Sequence, residues 1–202
     1  MGIIMKKADL KWSGKLKPIE LHNFDAVAIH HMAHTSADLE EIHRWHLAKS
    51  WAGCGYNFWV DKQGVWWEVR GFNQGAGVLN HNHHILSVGF QGDYDGADTY
   101  MPVPQFNTGV QGIKWLKEKC PNITKIAGHK YWNATSCPGK YFPLEEMVTA
   151  IEKEEPTHWA EPYYEYLTKD KGIVIHDKHY DKSISRGEVF ALLARALGYK
   201  EL

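Results

Sequence analysis

A buried β-strand is predicted for Phe24-Asp25-Ala26-Val27-Ala28-Ile29-His30-His31, a short apolar run that follows Pro18 and a polar stretch. The strand ends on two histidines, and strand ends are good platforms for functional side chains. Because neighbouring strand residues point to opposite faces, only one of His30 and His31 can face a site at this end. His30 is the stronger candidate.

Further strands and helices follow along the chain, each indicated by its spacing of apolar residues. The sequence predicts a helix over 36–49 capped by Thr35 or Ser36, a hairpin of 56–61 and 65–69, a strand over 85–91, a helix over 110–120, a strand over 124–127, and helices over 143–153, 159–167 and 185–197. The segment 71–84 is rich in Gly, Asn and His and predicts a loop near the substrate.

The chain of 202 residues is long enough for one domain and a small appendage. A charged stretch, Glu152-Lys153-Glu154-Glu155-Pro156, interrupts the helical pattern. We therefore predict a first domain over 1–153 and a small, mainly helical module over 154–202.

Composition excludes several classes of function. A net charge of −1 and the lack of a long basic run argue against nucleic-acid binding, and no apolar run reaches the length of a membrane span. The apolar part of residues 1–7 is too short for a signal peptide, so we expect synthesis in the cytoplasm. Three widely spaced cysteines argue against a disulfide framework, while nine Trp and ten Tyr suit contact with carbohydrate or peptide.

Three side chains suggest a metal site: His30, His129 in Gly128-His129-Lys130, and Cys137 in Ser136-Cys137-Pro138-Gly139. Imidazole and thiolate are ligands that zinc favours, and three protein ligands leave a fourth position for water or substrate, as in catalytic sites. A structural zinc site would need a fourth protein ligand, for which His31 and His34 are candidates. With thirteen His in the chain, a chance triple is the alternative to both interpretations.

Together with Gly55-Tyr56-Asn57-Phe58 and the helical segment Ile42-His43-Arg44-Trp45-His46, these residues make the chain resemble the zinc-dependent N-acetylmuramoyl-L-alanine amidases of type 2. That superfamily includes phage endolysins and the peptidoglycan-recognition proteins. The resemblance covers about residues 22 to 150. It implies an α/β fold with a mixed central β-sheet flanked by helices, and hydrolysis of the amide between N-acetylmuramic acid and L-alanine in peptidoglycan.

The resemblance also implies roles for single residues. His30, His129 and Cys137 match the ligands of Zn2+, Tyr56 matches a tyrosine that assists catalysis, and Thr135 stands where relatives have Lys or Thr. The chain departs from many relatives at Gly75-Ala76-Gly77, where they have Gly-Ala-His, and the role of the following His81, His83 and His84 stays open. Some relatives bind peptidoglycan without cleaving it and have usually lost the cysteine, so Cys137 favours catalysis.

The tail resembles a single S-layer-homology module through His158-Trp159-Ala160-Glu161-Pro162-Tyr163, Lys171-Gly172-Ile173-Val174 and Ile184-Ser185-Arg186-Gly187-Glu188. Modules of that family bind cell-wall polymers, which implies a secondary polymer of the wall as a second partner. The combined expectation is a phage endolysin: an antimicrobial, lytic enzyme made in the host cytoplasm that acts on the cell wall. An autolysin is the alternative, and the oligomeric state is left open.

Overall fold

The fold is described from a computed structural model, in which residues 5–153, 160, 164–172 and 186–198 are placed well enough to describe. The chain divides into two compact units, Met1–Lys153 and Glu154–Leu202. The first unit contains the sheet and the candidate site.

One mixed sheet of six strands forms the centre of the first unit, as the resemblance implies. Its strands are β1 (Met5–Lys7), β2 (Ala26–His31), β3 (Phe58–Val60), β4 (Trp66–Glu68), β5 (Ile85–Phe90) and β6 (Lys125–Gly128), arranged in the order β1-β4-β3-β5-β2-β6. The predicted hairpin is present as the antiparallel pair β3 and β4, and the other neighbouring strands pair in parallel. The predicted strands 24–31, 85–91 and 124–127 are confirmed as β2, β5 and β6.

Within residues 5–153, three α-helices flank the sheet: α1 (Leu39–Ala48), α2 (Val103–Lys119) and α3 (Leu144–Glu152). The predicted cap of α1 is wrong, because Asp38 accepts the Glu41 amide at 2.8 Å and forms a capping box with it. α2 begins seven residues earlier than predicted. In its first turns the side-chain amide of Gln105 is buried and donates to the backbone carbonyls of Val60 and Gln91. Because a polar residue occupies this buried position, no apolar stripe marks this part of the helix.

The sequence-based prediction missed β1 entirely. All three of its residues are exposed, and it adds to the sheet edge by parallel pairing with β4. A strand held mainly by backbone hydrogen bonds shows no alternation of buried and exposed residues, so its sequence has no periodic signal.

The sheet separates two apolar layers. On one face, β2 and β5 pack against α2 and α3 through a cluster that includes Val27, Ile29, Leu86, Val88, Phe90, Ile113, Leu116, Met147 and Ile151. On the other face, α1 packs through Leu39 and Ile42 onto Trp59 and Val69. Ala28 and His30 alternate with Val27 and Ile29 along β2, so His30 points away from the α2–α3 layer.

Cys54 and Cys120 are free and fully buried, as expected for small apolar residues in the core. None of the helices in the described ranges is long and apolar enough to cross a membrane.

The second unit is described over a π-helical turn, Tyr166–Asp170, and a helix α4, Arg186–Ala196. α4 corresponds to the helix predicted over 185–197. Much of the predicted helix 159–167, and most of the three segments that resemble an S-layer-homology module, lie outside the described residues.

Gly112 of α2 offers a test of the packing between helix and sheet. A Cβ atom there would lie 2.1 Å from the buried ring of Trp66, whereas one at Gly14 would meet nothing within 4 Å. We expect Gly112→Ala to destabilise the protein, because overpacking costs about 1–3 kcal/mol and outweighs a gain in helix propensity of about 1 kcal/mol.

Urea titration followed by circular dichroism measures the free energy of unfolding. Gly14→Ala is the control and should change it by less than about 0.5 kcal/mol. A Gly112→Ala protein as stable as the wild type would contradict the close packing of α2 on Trp66.

Candidate metal centre

Parallel pairing of β2 with β6 brings the two candidate histidines together. Ile29 is in register with Gly128, so the next residues, His30 and His129, leave the same edge of the sheet side by side. Their ring centroids lie 4.5 Å apart. The local sequence of either strand does not reveal that they are neighbours, since Ile29 and Gly128 are 99 positions apart in the chain.

The loop after β6 returns Cys137 to the histidines. His129 begins a short 3-10 helix, His129–Tyr131, and the Lys130 amide donates to the Cys137 carbonyl at 2.9 Å. The peptide bond between Cys137 and Pro138 is cis. Gly128 permits this closure, because a Cβ atom there would lie 2.6 Å from Cδ of Pro138.

The three donors form a compact group. One ligand atom from each of His30, His129 and Cys137 lies within 4.8 Å of the others, and no other such group of His, Cys, Asp or Glu occurs among the residues that the structure describes. Cys137 Sγ lies 3.8 Å from His30 Nδ1. Zinc bonds of about 2.3 Å to sulfur and 2.0 Å to nitrogen, opened at a tetrahedral angle, would separate two donors by about 3.5 Å, so the group fits zinc.

Burial determines the protonation of these donors in the absence of metal. It lowers the pKa of His30 well below its usual range, and His129 and His31 lower that pKa further, so the imidazole of His30 is neutral. Burial also raises the pKa of the Cys137 thiol to about 11. A cation is therefore what would stabilise the thiolate here.

Tyr56 and Thr135 both line the cavity at the three donors. The Tyr56 ring lies 5.3 Å from that of His30, and burial raises the pKa of its phenol, so the hydroxyl keeps its proton at neutral pH. Thr135 is exposed, and its hydroxyl accepts the Cys137 amide at 3.2 Å. The structure thus brings all five predicted site residues to one cavity.

Neither candidate for a fourth protein ligand joins the group. His31 Nδ1 accepts the Tyr94 amide at 3.1 Å, and His34 Nδ1 accepts the Ala37 amide at 3.0 Å. These contacts use each ring to hold a loop, which disfavours the structural-zinc interpretation.

The cavity has a volume of about 470 Å³, within the range of ligand clefts. Its wall includes residues that the sequence-based prediction did not assign: His46, Lys49, Trp51, Asp93 and Asp95. The imidazole of His46 stacks on Trp51 with ring centroids 4.7 Å apart and accepts the Gly55 amide at 3.1 Å. Burial lowers the pKa of His46 to about 4, with a smaller contribution from the charge of Lys49. The imidazole of His46 is therefore uncharged at neutral pH.

Only part of the segment predicted as a loop near the substrate lines this cavity. Ala76 and Gly77 line the cavity, but the histidines that follow do not belong to its lining. His84 Nδ1 instead lies 2.7 Å from the carboxylate of Asp25, and His81 Nδ1 lies 3.2 Å from His84 Nε2.

Known protein families and curated proteins include sequences similar to this chain. Residues 20–140 match a family described as N-acetylmuramoyl-L-alanine amidase. Peptidoglycan-recognition protein SC1a of Drosophila melanogaster is 26% identical over 155 residues, which cover 68% of this chain and 80% of that protein.

Solved structures show the same fold. The endolysin amidase LysCS of Clostridium intestinale aligns with a TM-score of 0.66 and 23% identity, over 74% of this chain and 96% of that one. The recognition protein PGRP-SA of bumblebee aligns with a TM-score of 0.64 and 21% identity, over 78% of this chain and 100% of that one. With the family match covering more than half of its residues, this chain belongs to the N-acetylmuramoyl-L-alanine amidase family.

Proposed function

We propose that this protein is a zinc-dependent peptidoglycan hydrolase that cleaves the amide bond between N-acetylmuramic acid and L-alanine. The observation that supports it most is the group of His30, His129 and Cys137 at the cavity, three zinc-type donors with no fourth protein donor among the described residues. A centre that leaves one position for water or substrate is the arrangement of catalytic zinc sites.

The three donors would hold the ion as two neutral imidazoles and one thiolate. Zinc bound there would supply a water that is acidic enough to attack near neutral pH, and would polarise the scissile carbonyl. The buried surroundings of His30 keep its imidazole neutral, so no proton has to leave that ligand before metal binds.

Tyr56 would act on the substrate itself. Its phenol is a hydrogen-bond donor at neutral pH and lies beside His30, where negative charge would develop on the carbonyl oxygen. Thr135 has a hydroxyl at the same cavity, but it brings no positive charge, and its contact with the Cys137 amide orders the ligand loop. We assign it a secondary role.

The competing proposal is a protein that binds peptidoglycan without cleaving it, since the similar curated proteins are recognition proteins. Retention of all three donors, with Cys137 only 3.8 Å from His30, favours hydrolysis.

The biological setting is also a proposal. Fold similarity to an endolysin amidase supports a role in lysis of the bacterial wall, as a phage endolysin. The proposal that residues 154–202 bind a secondary wall polymer rests on the sequence resemblance of that segment.

Digestion of purified cell walls by the zinc-loaded protein tests the reaction. We expect falling turbidity and newly exposed L-alanine amines, because the amide bond is the one cleaved. New reducing sugar ends would instead identify a glycosidase, and bound but intact walls would identify a recognition protein.

The Cys137→Ser variant tests the metal ligand. We expect loss of stoichiometric zinc, measured by elemental analysis after dialysis, and loss of wall hydrolysis, because a hydroxyl is a poor substitute for a thiolate. Cys120→Ala is the matched control, since Cys120 is a buried free cysteine outside the cavity lining. A fully active Cys137→Ser protein would refute the ligand role.

The Tyr56→Phe variant tests the hydrogen bond to the developing oxyanion. Removal of such a donor typically costs about 3 kcal/mol, so we expect turnover to fall by about 10² while the zinc content stays at the wild-type level. Turnover equal to that of the wild type would remove this role from Tyr56.

A further inference from the structure

The imidazole of His129 has a hydrogen-bond partner outside the group of three donors. Its Nε2 lies 2.9 Å from Oδ1 of Asn133, which is four residues further along the chain. No feature of the sequence distinguishes Asn133 from a loop residue, and the prediction of the site did not include it.

The other contacts of Asn133 fix which way its amide points. Oδ1 also accepts the Leu79 amide at 3.0 Å, while Nδ2 lies 3.3 Å from the Leu79 carbonyl and 3.1 Å from that of Trp132. A flipped amide would place Nδ2 against a donor and Oδ1 against two carbonyls. Oδ1 therefore faces His129, and Nε2 of His129 must donate the proton, which leaves the lone pair on Nδ1.

His30 is held differently. It is 2% exposed, and its Nε2 has no hydrogen-bond partner among the described residues. Packing orients His30, whereas His129 is only half-buried and depends on a specific contact.

The side-chain amide of Asn133 also connects His129 to the wall of the cavity. Leu79 lies two residues after Gly77, which lines the cavity together with Ala76. The two bonds between Asn133 and the Leu79 backbone thus tie the loop beside the cavity to a candidate metal ligand.

We propose that Asn133 is a positioning residue that holds His129 in the Nε2-protonated form, with Nδ1 free for metal, and that it anchors the loop over 76–79 to this ligand. The expected effect on metal affinity rests on the proposed function. The tautomer of His129 and the anchoring of the loop over 76–79 do not depend on it. Partners of this kind commonly change metal affinity by about 10–100-fold when removed.

Three variants of the full chain separate the two roles. Asn133→Ala removes every side-chain contact, and Asn133→Asp keeps an acceptor for His129 but loses the donor to Leu79. Asn82→Ala is the matched control, because Asn82 accepts the Val78 amide at 2.9 Å in the same loop, whereas the side-chain hydrogen bond of His129 goes to Asn133.

The first measurement is the tautomer of His129 in the metal-free protein, from long-range ¹H–¹⁵N correlation spectra. We expect the Nε2-protonated form in the wild type, Asn133→Asp and Asn82→Ala, and a mixture of tautomers in Asn133→Ala.

The second measurement is zinc affinity by chelator competition. It should fall about 10–100-fold in Asn133→Ala and stay near the wild-type value in the other two variants.

The third measurement is the rate of hydrogen exchange of the Leu79 amide, which should increase in Asn133→Ala.

An unchanged His129 tautomer in Asn133→Ala would overturn the inference. So would an equal loss of zinc affinity in Asn82→Ala, because loop order alone would then explain it. A wild-type protein that binds no zinc would contradict the proposed function, while the tautomer would still decide the role of Asn133.

Discussion

Parallel pairing of β2 and β6 is the constraint on which the candidate site depends. Parallel strands end at the same edge of a sheet, and the register of Ile29 with Gly128 makes His30 and His129 neighbours. A shift of one residue would move His30 to the other face and replace it with His31. The apolar layer under Val27 and Ile29 opposes that shift, so the core that stabilises the fold also selects which histidine faces the cavity.

Burial then sets the chemistry of the donors. The site places a neutral imidazole and a thiol of raised pKa in surroundings that disfavour charge. The thiolate is costly there without a counter-charge, which the proposed divalent cation would supply. Tyr56 keeps its proton for the same reason. Burial therefore accounts for the protonation of two candidate ligands, His30 and Cys137, and of the candidate hydrogen-bond donor Tyr56.

Much of this arrangement could be predicted from the sequence. Apolar runs mark β2, β5 and β6, and the residue types of His30, His129 and Cys137 indicate zinc before any geometry is known. The prediction failed where structure depends on contacts without a local pattern. β1 is an exposed edge strand, the first turns of α2 bury Gln105 in place of an apolar stripe, and the cap of α1 is one of several adjacent polar residues. The contacts of Asn133 could not be predicted either. They depend on the loop over 76–79, which is distant in sequence and gives no signal in the residues around Asn133.

X-ray absorption at the zinc edge of the loaded full-length protein tests the central claim most directly. The account predicts one zinc per chain with one sulfur at about 2.3 Å, two imidazole nitrogens and one further light atom at about 2.0–2.1 Å. A second sulfur, a third imidazole or the absence of stoichiometric zinc would contradict it.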